Sequence, residues 1–302
     1  MATLTISKKD EKSVKGLGFL SNKGTDNFSG RVITENGLIT TEQAKKIIEA
    51  AEKYGNGNLA LTTRLTIECQ GIPFDQIDDF RNCLAEGGLE TGGTGAKVRP
   101  VMSCKGTTCQ YGLIDTFGLS KEIHDRFYTG MRDLILPHKF KIAVGGCPNN
   151  CVKPDLNDVG IIGQYLPVVN QTECRNCKSC GVVKACAVAA SQLVDDKIAV
   201  DVKKCLNCGM CIGKCPFQAV TGGAIGYKIV IGGRWGKQVA QGKALNQIFT
   251  DKEELLNRIA KIIIFYQENG LPKERFAQTI QRIGFDAVEA ALLEEIALKS
   301  NK

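Results

Sequence analysis

Aromatic residues make up only 6 % of the chain, with a single tryptophan, and no run of Lys or Arg occurs anywhere in it. A nucleic-acid-binding surface needs both features, so that class is set aside although Lys and Arg outnumber Asp and Glu by 39 to 32. The positive balance then points to a polyanionic cofactor or substrate, or to acidic lipid. No window approaches the roughly 18 consecutive apolar residues of a membrane span. The opening MATLTISKKDEK has no apolar signal core, so a cytoplasmic protein with no membrane span is expected. No GxGxxG fingerprint stands between a strand and a helix, which puts any NAD or flavin on a separate protein. His124 and His138 are the only histidines, and both read as structural.

Cysteine, by contrast, is plentiful. Fourteen thiols in 302 residues, without an export signal, are poor candidates for disulfides in a reducing compartment and good ones for metal ligation. The 43 % hydrophobic content is enough for a substantial core.

The first third alternates helix and strand. LITTEQAKKIIEAAEKYG, residues 38–55, reads as a helix capped by Thr41 and stopped by glycine. NLALTTRLTIECQGI alternates as a half-buried strand does, and FDQIDDFRNCLAEGG is a second helix. The pattern predicts an α+β fold, an α/β sandwich with helices on one sheet face. KFKIAVGGCPNNCVKPDLNDVGIIG reads as strand, loop, strand, and the chain from Asp251 to Leu298 is helical by period. Between Val169 and Ala219 the composition changes to eight cysteines in 51 residues, and the earlier pattern resumes at AIGYKIVIGGRWG. The expected organisation is therefore residues 1–168 and 220–302 as one domain, its N-terminal α/β part ending near 96, with 169–219 inserted.

The insert carries CRNCKSCGVVKAC and CLNCGMCIGKCP. The second is the CxxCxxCxxxCP run of bacterial ferredoxins, in which three close thiolates hold one cubane and the fourth crosses to its neighbour. On that pattern Cys174, Cys177, Cys180 and Cys215 hold one [4Fe-4S] cluster, and Cys205, Cys208, Cys211 and Cys186 the other. Zinc knuckles also use CxxC pairs, but not triplets at two-residue gaps occurring twice. The first run departs from the pattern with five residues before Cys186 and no proline after it.

Cys69 falls in a predicted strand and Cys83 in a predicted helix, where both act as small buried hydrophobes. Cys104 and Cys109 in CKGTTC, with Cys147 and Cys151 in CPNNC, could hold one tetrahedral zinc or one cubane. The segments RPVMSCKGTTC and KFKIAVGGCPNNCVKPDLNDVGIIG resemble the paired-cysteine signature of the siroheme sulfite and nitrite reductases. In that family four such cysteines ligate a [4Fe-4S] cluster and the last, Cys151 here, also bridges to the siroheme iron. NLALTTRLTIECQGI is similar to the family's strand with a substrate arginine, KVRPV to a second arginine segment and LPHKFKIAV to its paired-lysine strand. The match runs from about Gly37 to Gly236 around the insert, and resembles the single-repeat members, among them the catalytic subunit of anaerobic sulfite reductases. This chain has four residues between Cys104 and Cys109 where the family mostly has five.

The resemblance implies siroheme, a coupled [4Fe-4S] cluster and two further clusters in the insert. It implies that Arg64, Arg99, Lys139 and Lys141 bind a small oxyanion, the two lysines sharing one strand face. It also implies that Asn150 and Cys151, with Gly232, Gly233 and Arg234 of GGRWG, contact siroheme, the glycines through backbone N–H groups. The expected activity is six-electron reduction of sulfite to sulfide, with electrons from an external donor protein. Nitrite reduction on the same scaffold and a non-catalytic electron-transfer subunit are the alternatives. Relatives with two repeats build one site between them, so this one-repeat chain is expected to form a homo-oligomer or to join partner subunits.

Overall fold

The structure is a computed structural model describing residues 6–294, and it divides into two compact units. The first comprises residues 1–103, 117–143 and 260–302, and the second residues 104–116 and 144–259.

In the first unit, α1 (Lys8–Lys15) leads into β1 (Phe19–Ser21) and β2 (Phe28–Val32). Then come α2 (Thr41–Tyr54), β3 (Leu59–Leu61), β4 (Ile67–Ile72) and α3 (Ile77–Glu86). The strands form an antiparallel sheet of order β1-β2-β4-β3. Ile47, Ala50 and Ala51 of α2 and Phe80 and Leu84 of α3 share its core with Phe19, Phe28, Cys69 and Ile72. Phe19 and Phe80 meet edge to face at 5.9 Å. Each such large side chain contributes about 1.5–3 kcal/mol by leaving water.

Helix α2 starts one residue earlier than the sequence suggests. Thr40, not Thr41, is the cap: its hydroxyl accepts from Gln43 N and Gln43 Oε1 accepts from Thr40 N, a reciprocal box. The segment read as a single strand is instead the β3–β4 hairpin. Thr62 and Thr66 close its turn, and Leu65 sits at φ 61°. The apolar alternation continues through such a turn unbroken, so periodicity alone does not reveal the reversal.

β5 (Met102–Ser103) follows, and α4 (Thr116–Ile123) continues into a π-helical turn over His124–Thr129. β6 (Ile142–Gly145) carries the chain into the second unit. There β7 (Val159–Val169) pairs along its length with β10 (Val220–Ile231), which pairs in turn with β11 (Lys243–Phe249). Between β7 and β10 lie α5 (Gly181–Ala185) and the hairpin β8 (Ser191–Val194) and β9 (Lys197–Val200). Residues 169–219 thus fall wholly inside the second unit.

α6 (Lys252–Asn269) is followed by α7 (Phe276–Ile283) and α8 (Phe285–Leu293). Gly284, at φ 98°, breaks what the sequence presents as one amphipathic run, and the part of that run towards Leu298 lies outside the described residues. Tyr266, Phe140 and Phe276 stack in the core of the first unit, with Phe140 and Tyr266 centroids 5.5 Å apart. Among the described residues no helix is long and apolar enough to cross a membrane.

Candidate functional site

The second unit brings the four cysteines of CKGTTC and CPNNC together. Cys104 is tied to β6 by its N–H to Val144 O at 3.1 Å, and its Sγ accepts from Gly146 N at 3.1 Å. The loops approach through their glycines: a Cβ on Gly106 would lie 2.9 Å from Gly146 Cα and 2.6 Å from Thr116 Cγ2. Buried Thr116 pins the first loop, donating to Cys104 O at 2.8 Å and accepting from Thr107 N at 3.1 Å. The four residues between Cys104 and Cys109 fit because they contain one 3₁₀ turn, Gly106–Thr108.

CPNNC turns back on itself, with Asn150 at φ 58° and Lys153 at φ 50°. Asparagine tolerates that region through its short polar side chain. Burial raises the Cys147 thiol above its ordinary value; the Asn149 N–H opposes this, and charge on Cys104, Cys151 and Cys109 adds to it. Charge on the other three cysteines is thus felt at Cys147. Cys151 is exposed while the other three are partly covered. Beside it, Asn150 Oδ1 is buried with no hydrogen-bond partner. Four cysteines on two adjoining loops have the donor chemistry of a [4Fe-4S] ligand set.

Asp155 holds this turn against the glycine-rich hairpin. Its carboxylate accepts from Asn150 Nδ2 at 2.7 Å and from Gln241 Nε2 at 3.0 Å, and its carbonyl accepts from Gly242 N at 2.8 Å. A Cβ on Gly233 would fall 2.3 Å from Asp155 O and 2.4 Å from Asn157 O. Gly232 donates its N–H to Asp158 O at 3.0 Å. The Gly232 N–H is thus bonded within the chain, with Gly232 at φ 82°, and Gly233 is the position of close backbone approach. Arg234 is partly exposed at the hairpin, where its Nη1 donates to Gln238 at 2.8 Å.

In the insert, backbone N–H groups approach the thiols, as thiolates ligating a cluster require. Ile198 N lies 3.3 Å from Cys174 Sγ, and Ala190 N 3.1 Å from Cys186 Sγ. Cys174 and Cys211 share a small core with Val182 and Ile198, against which Cys180 and Cys215 pack. Burial works to raise the Cys186 thiol, but N–H groups at Ser191, Ala190 and Val188 and the Ser191 hydroxyl outweigh it and lower the pKa. Burial raises Cys211, with charge on Cys205, Cys208 and Cys186 adding to the rise. Charge on Cys186 is thus felt at Cys211 of the second run. Half-buried Lys228 on β10 is lowered by burial, with Cys205 opposing the shift. Among the described residues no group of three His, Cys, Asp or Glu side chains is arranged for a single metal ion.

The four candidate oxyanion cations belong to the first unit, where they share a framework. Arg64, in the β3–β4 turn, donates from Nη1 to Pro100 O at 3.4 Å. Arg99 donates its N–H to Phe140 O at 2.8 Å, and its Nη1 hydrogen-bonds Gly93 O. Lys139 and Lys141 flank Phe140, which bridges to Val98. They are not on a regular strand, since β6 begins at Ile142, but the extended backbone puts both opposite the buried Phe140 ring. All four side chains are partly buried. Leu65, next to Arg64, holds a left-handed conformation that costs on the order of 1–3 kcal/mol and persists where surrounding structure demands it.

His124 is largely buried and its pKa is lowered by that burial. His138 Nδ1 accepts from Lys139 N at 2.7 Å. Sequence reasoning missed Thr116, Asp155 and Lys228, which act through tertiary contacts and belong to no spacing pattern; only Asp155, four residues past Cys151, stood near a motif.

Comparison with known proteins identifies the family. The family pattern described as "Nitrite and sulphite reductase 4Fe-4S domain" matches residues 94–300, and the "Nitrite/Sulfite reductase ferredoxin-like half domain" matches residues 21–87. The chain is 34% identical over 263 residues to a coenzyme F420-dependent sulfite reductase of Methanocaldococcus jannaschii, covering 86% of this chain and 40% of that protein. It is 31% identical over 159 residues to one of the subunits of the anaerobic sulfite reductase of Salmonella typhimurium, covering 46% of this chain and 43% of that one. The chain therefore spans less than half the length of these two relatives. The crystal structure of dissimilatory sulfite reductase I superposes with a TM-score of 0.70 at 20% identity, covering 90% of this chain and 70% of that one, a likeness of fold.

Proposed function

This chain belongs to the nitrite and sulphite reductase family, and from that premise we propose that it reduces sulfite to sulfide at siroheme coupled to a [4Fe-4S] cluster. The observation that carries the reading is the quartet of Cys104, Cys109, Cys147 and Cys151, with Cys151 alone exposed. Siroheme held there would supply an iron able to take up electrons one at a time and deliver them to sulfur.

The chain's own residues do the rest. Arg64 and Arg99 are the groups proposed to hold the oxyanion, since guanidinium forks match paired oxygens. Lys139 and Lys141 neutralise charge that develops as each S–O bond breaks and donate protons to the departing oxygen, which leaves as water. Partial burial strengthens both effects relative to water. Asn150, Arg234 and the hairpin around Gly232 and Gly233 position the macrocycle's carboxylates. Cys174, Cys177, Cys180 and Cys215 hold one further [4Fe-4S] cluster, and Cys186, Cys205, Cys208 and Cys211 another, between the reductase centre and an external donor protein. The one-repeat chain assembles with a second copy or with partner subunits.

The test is an anaerobic visible spectrum with iron and acid-labile sulfide analysis, after expression with siroheme supply, then addition of sulfite and of nitrite to the reduced protein. Siroheme bands, iron for three cubanes and a band shift on sulfite are expected. Iron-sulfur absorption without siroheme would overturn the catalytic reading, and a response to nitrite alone would replace the substrate.

A further inference from the structure

The two cysteine sets of the insert have opposite surroundings. The residues between Cys205 and Cys211 are uncharged: Leu206 and Asn207, then Gly209 and Met210. They face inward. A pocket of about 130 Å³ is lined by Cys186, Cys205, Cys208 and Cys211 together with Pro148 and Asn149 of CPNNC. A neighbouring cleft of about 510 Å³ brings Cys208 and Met210 against Cys147 and Tyr165. Tyr165 fastens this side, its N–H donating to Asn207 O at 2.7 Å, and a Cβ on Gly209 would meet its ring at 2.7 Å.

The first run is different. Arg175 lies between Cys174 and Cys177, Lys178 between Cys177 and Cys180, Lys184 on α5 just beyond, and Lys214 immediately before Cys215. All four are exposed. Gly181 packs on Lys214, where a Cβ would lie 2.7 Å from the Lys214 carbonyl oxygen, so the two stretches adjoin. None of these four cations has a carboxylate within ion-pair distance among the described residues, whereas Lys204, beside the second run, pairs with Asp201 at 3.8 Å. Cys174, Cys177, Cys180 and Cys215 line neither the pocket nor the cleft that reaches CPNNC.

We infer that the exposed basic ring around Cys174, Cys177, Cys180 and Cys215 is the docking surface for an acidic, low-potential, one-electron carrier protein. The inference rests on the reductase reading and adds to it the side on which electrons enter. Unpaired cations on one face attract an acidic partner and speed encounter. Cys208 and Met210 adjoin Cys147 across the cleft, the direction in which electrons must leave. The donor is oxidised by one electron per encounter, and six encounters match one sulfite reduced to sulfide.

The test uses the full chain with its cofactors in place and an acidic two-[4Fe-4S] bacterial ferredoxin as the probe. Binding is measured by calorimetry, and turnover is measured with the reduced ferredoxin or with reduced methyl viologen, a small cation that needs no docking surface. The combined variant Arg175→Glu, Lys178→Glu and Lys214→Glu is expected to weaken ferredoxin binding at low salt by roughly tenfold or more and to raise its KM in proportion. Affinity of the unaltered protein is expected to fall as salt rises, and that of the variant to change little. Iron content and viologen-supported turnover stay as they were. Lys203→Glu, beside the inward set, serves as the control and leaves the KM for ferredoxin unchanged. Unchanged affinity in the triple variant, an equal loss from Lys203→Glu, or a loss that tracks iron content would each overturn the docking site. If viologen supports reduction of neither sulfite nor nitrite by the unaltered protein, the reductase reading fails, while calorimetry still decides the docking surface.

Discussion

Asn150 donates from Nδ2 to Asp155 Oδ1 at 2.7 Å, while the other oxygen of the same carboxylate accepts from Gln241 at 3.0 Å. One side chain thereby fixes the residue before Cys151 to the hairpin that carries Arg234. Asp155→Ala removes both bonds and is expected to cost about 1–3 kcal/mol, because Asn150 loses a partner in a partly buried place. Urea denaturation of the anaerobic protein measures this, and release of iron in air is expected to quicken in the variant.

Arg64→Ala and Lys141→Ala are each expected to lower sulfite turnover by roughly a hundredfold or more, the scale of removing one preorganised charge-stabilising group. The siroheme spectrum should stay unchanged. Steady-state rates with an artificial donor, measured beside the visible spectrum, decide it; unaltered rates would take these residues out of the catalytic set.

Cys186→Ser and Cys215→Ser test the crossed ligation. Each is expected to remove one of the insert's two cubanes while leaving the other, so the low-temperature electron paramagnetic resonance spectra of the reduced variants should differ. Identical spectra would show that both cysteines belong to one set.

Cys69 is fully buried, and burial pushes its thiol from 9.0 up to about 12. Its pKa is higher folded than unfolded, so the unfolded chain binds fewer protons above pH 9. Its contribution to stability is complete below about pH 9 and is lost as pH rises towards 12. Alkylation by iodoacetamide at pH 8.5 followed by peptide mapping should leave Cys69 unlabelled until denaturant is added. Labelling in the folded protein would contradict its burial.

Whatever is local along the chain is legible in the sequence. Cysteine triplets at two-residue gaps are fixed by ligand geometry, and α2 and α3 announce themselves through apolar spacing and caps. The β3–β4 reversal is hidden because alternation runs through Thr62 to Thr66 without glycine or proline, and the left-handed residue there is Leu65. The lysines read as part of a strand because KFKIAV alternates throughout, although the regular ladder begins only at Ile142. Asp155 and Thr116 are invisible for another reason: each is defined by partners distant in the chain or by carbonyls, and neither leaves a periodic trace.

The β7–β10 ladder begins its pairing at Val169 with Val220 and continues to Val159 with Ile231. Residues 170–219, with all eight insert cysteines, leave the ladder at the Val169–Val220 rung and are fastened to it again where Tyr165 N donates to Asn207 O at 2.7 Å. Joining those two strands by a tight turn would leave every other rung in register, so a lineage could gain or lose two electron stations in one recombination event while its sheet stayed the same.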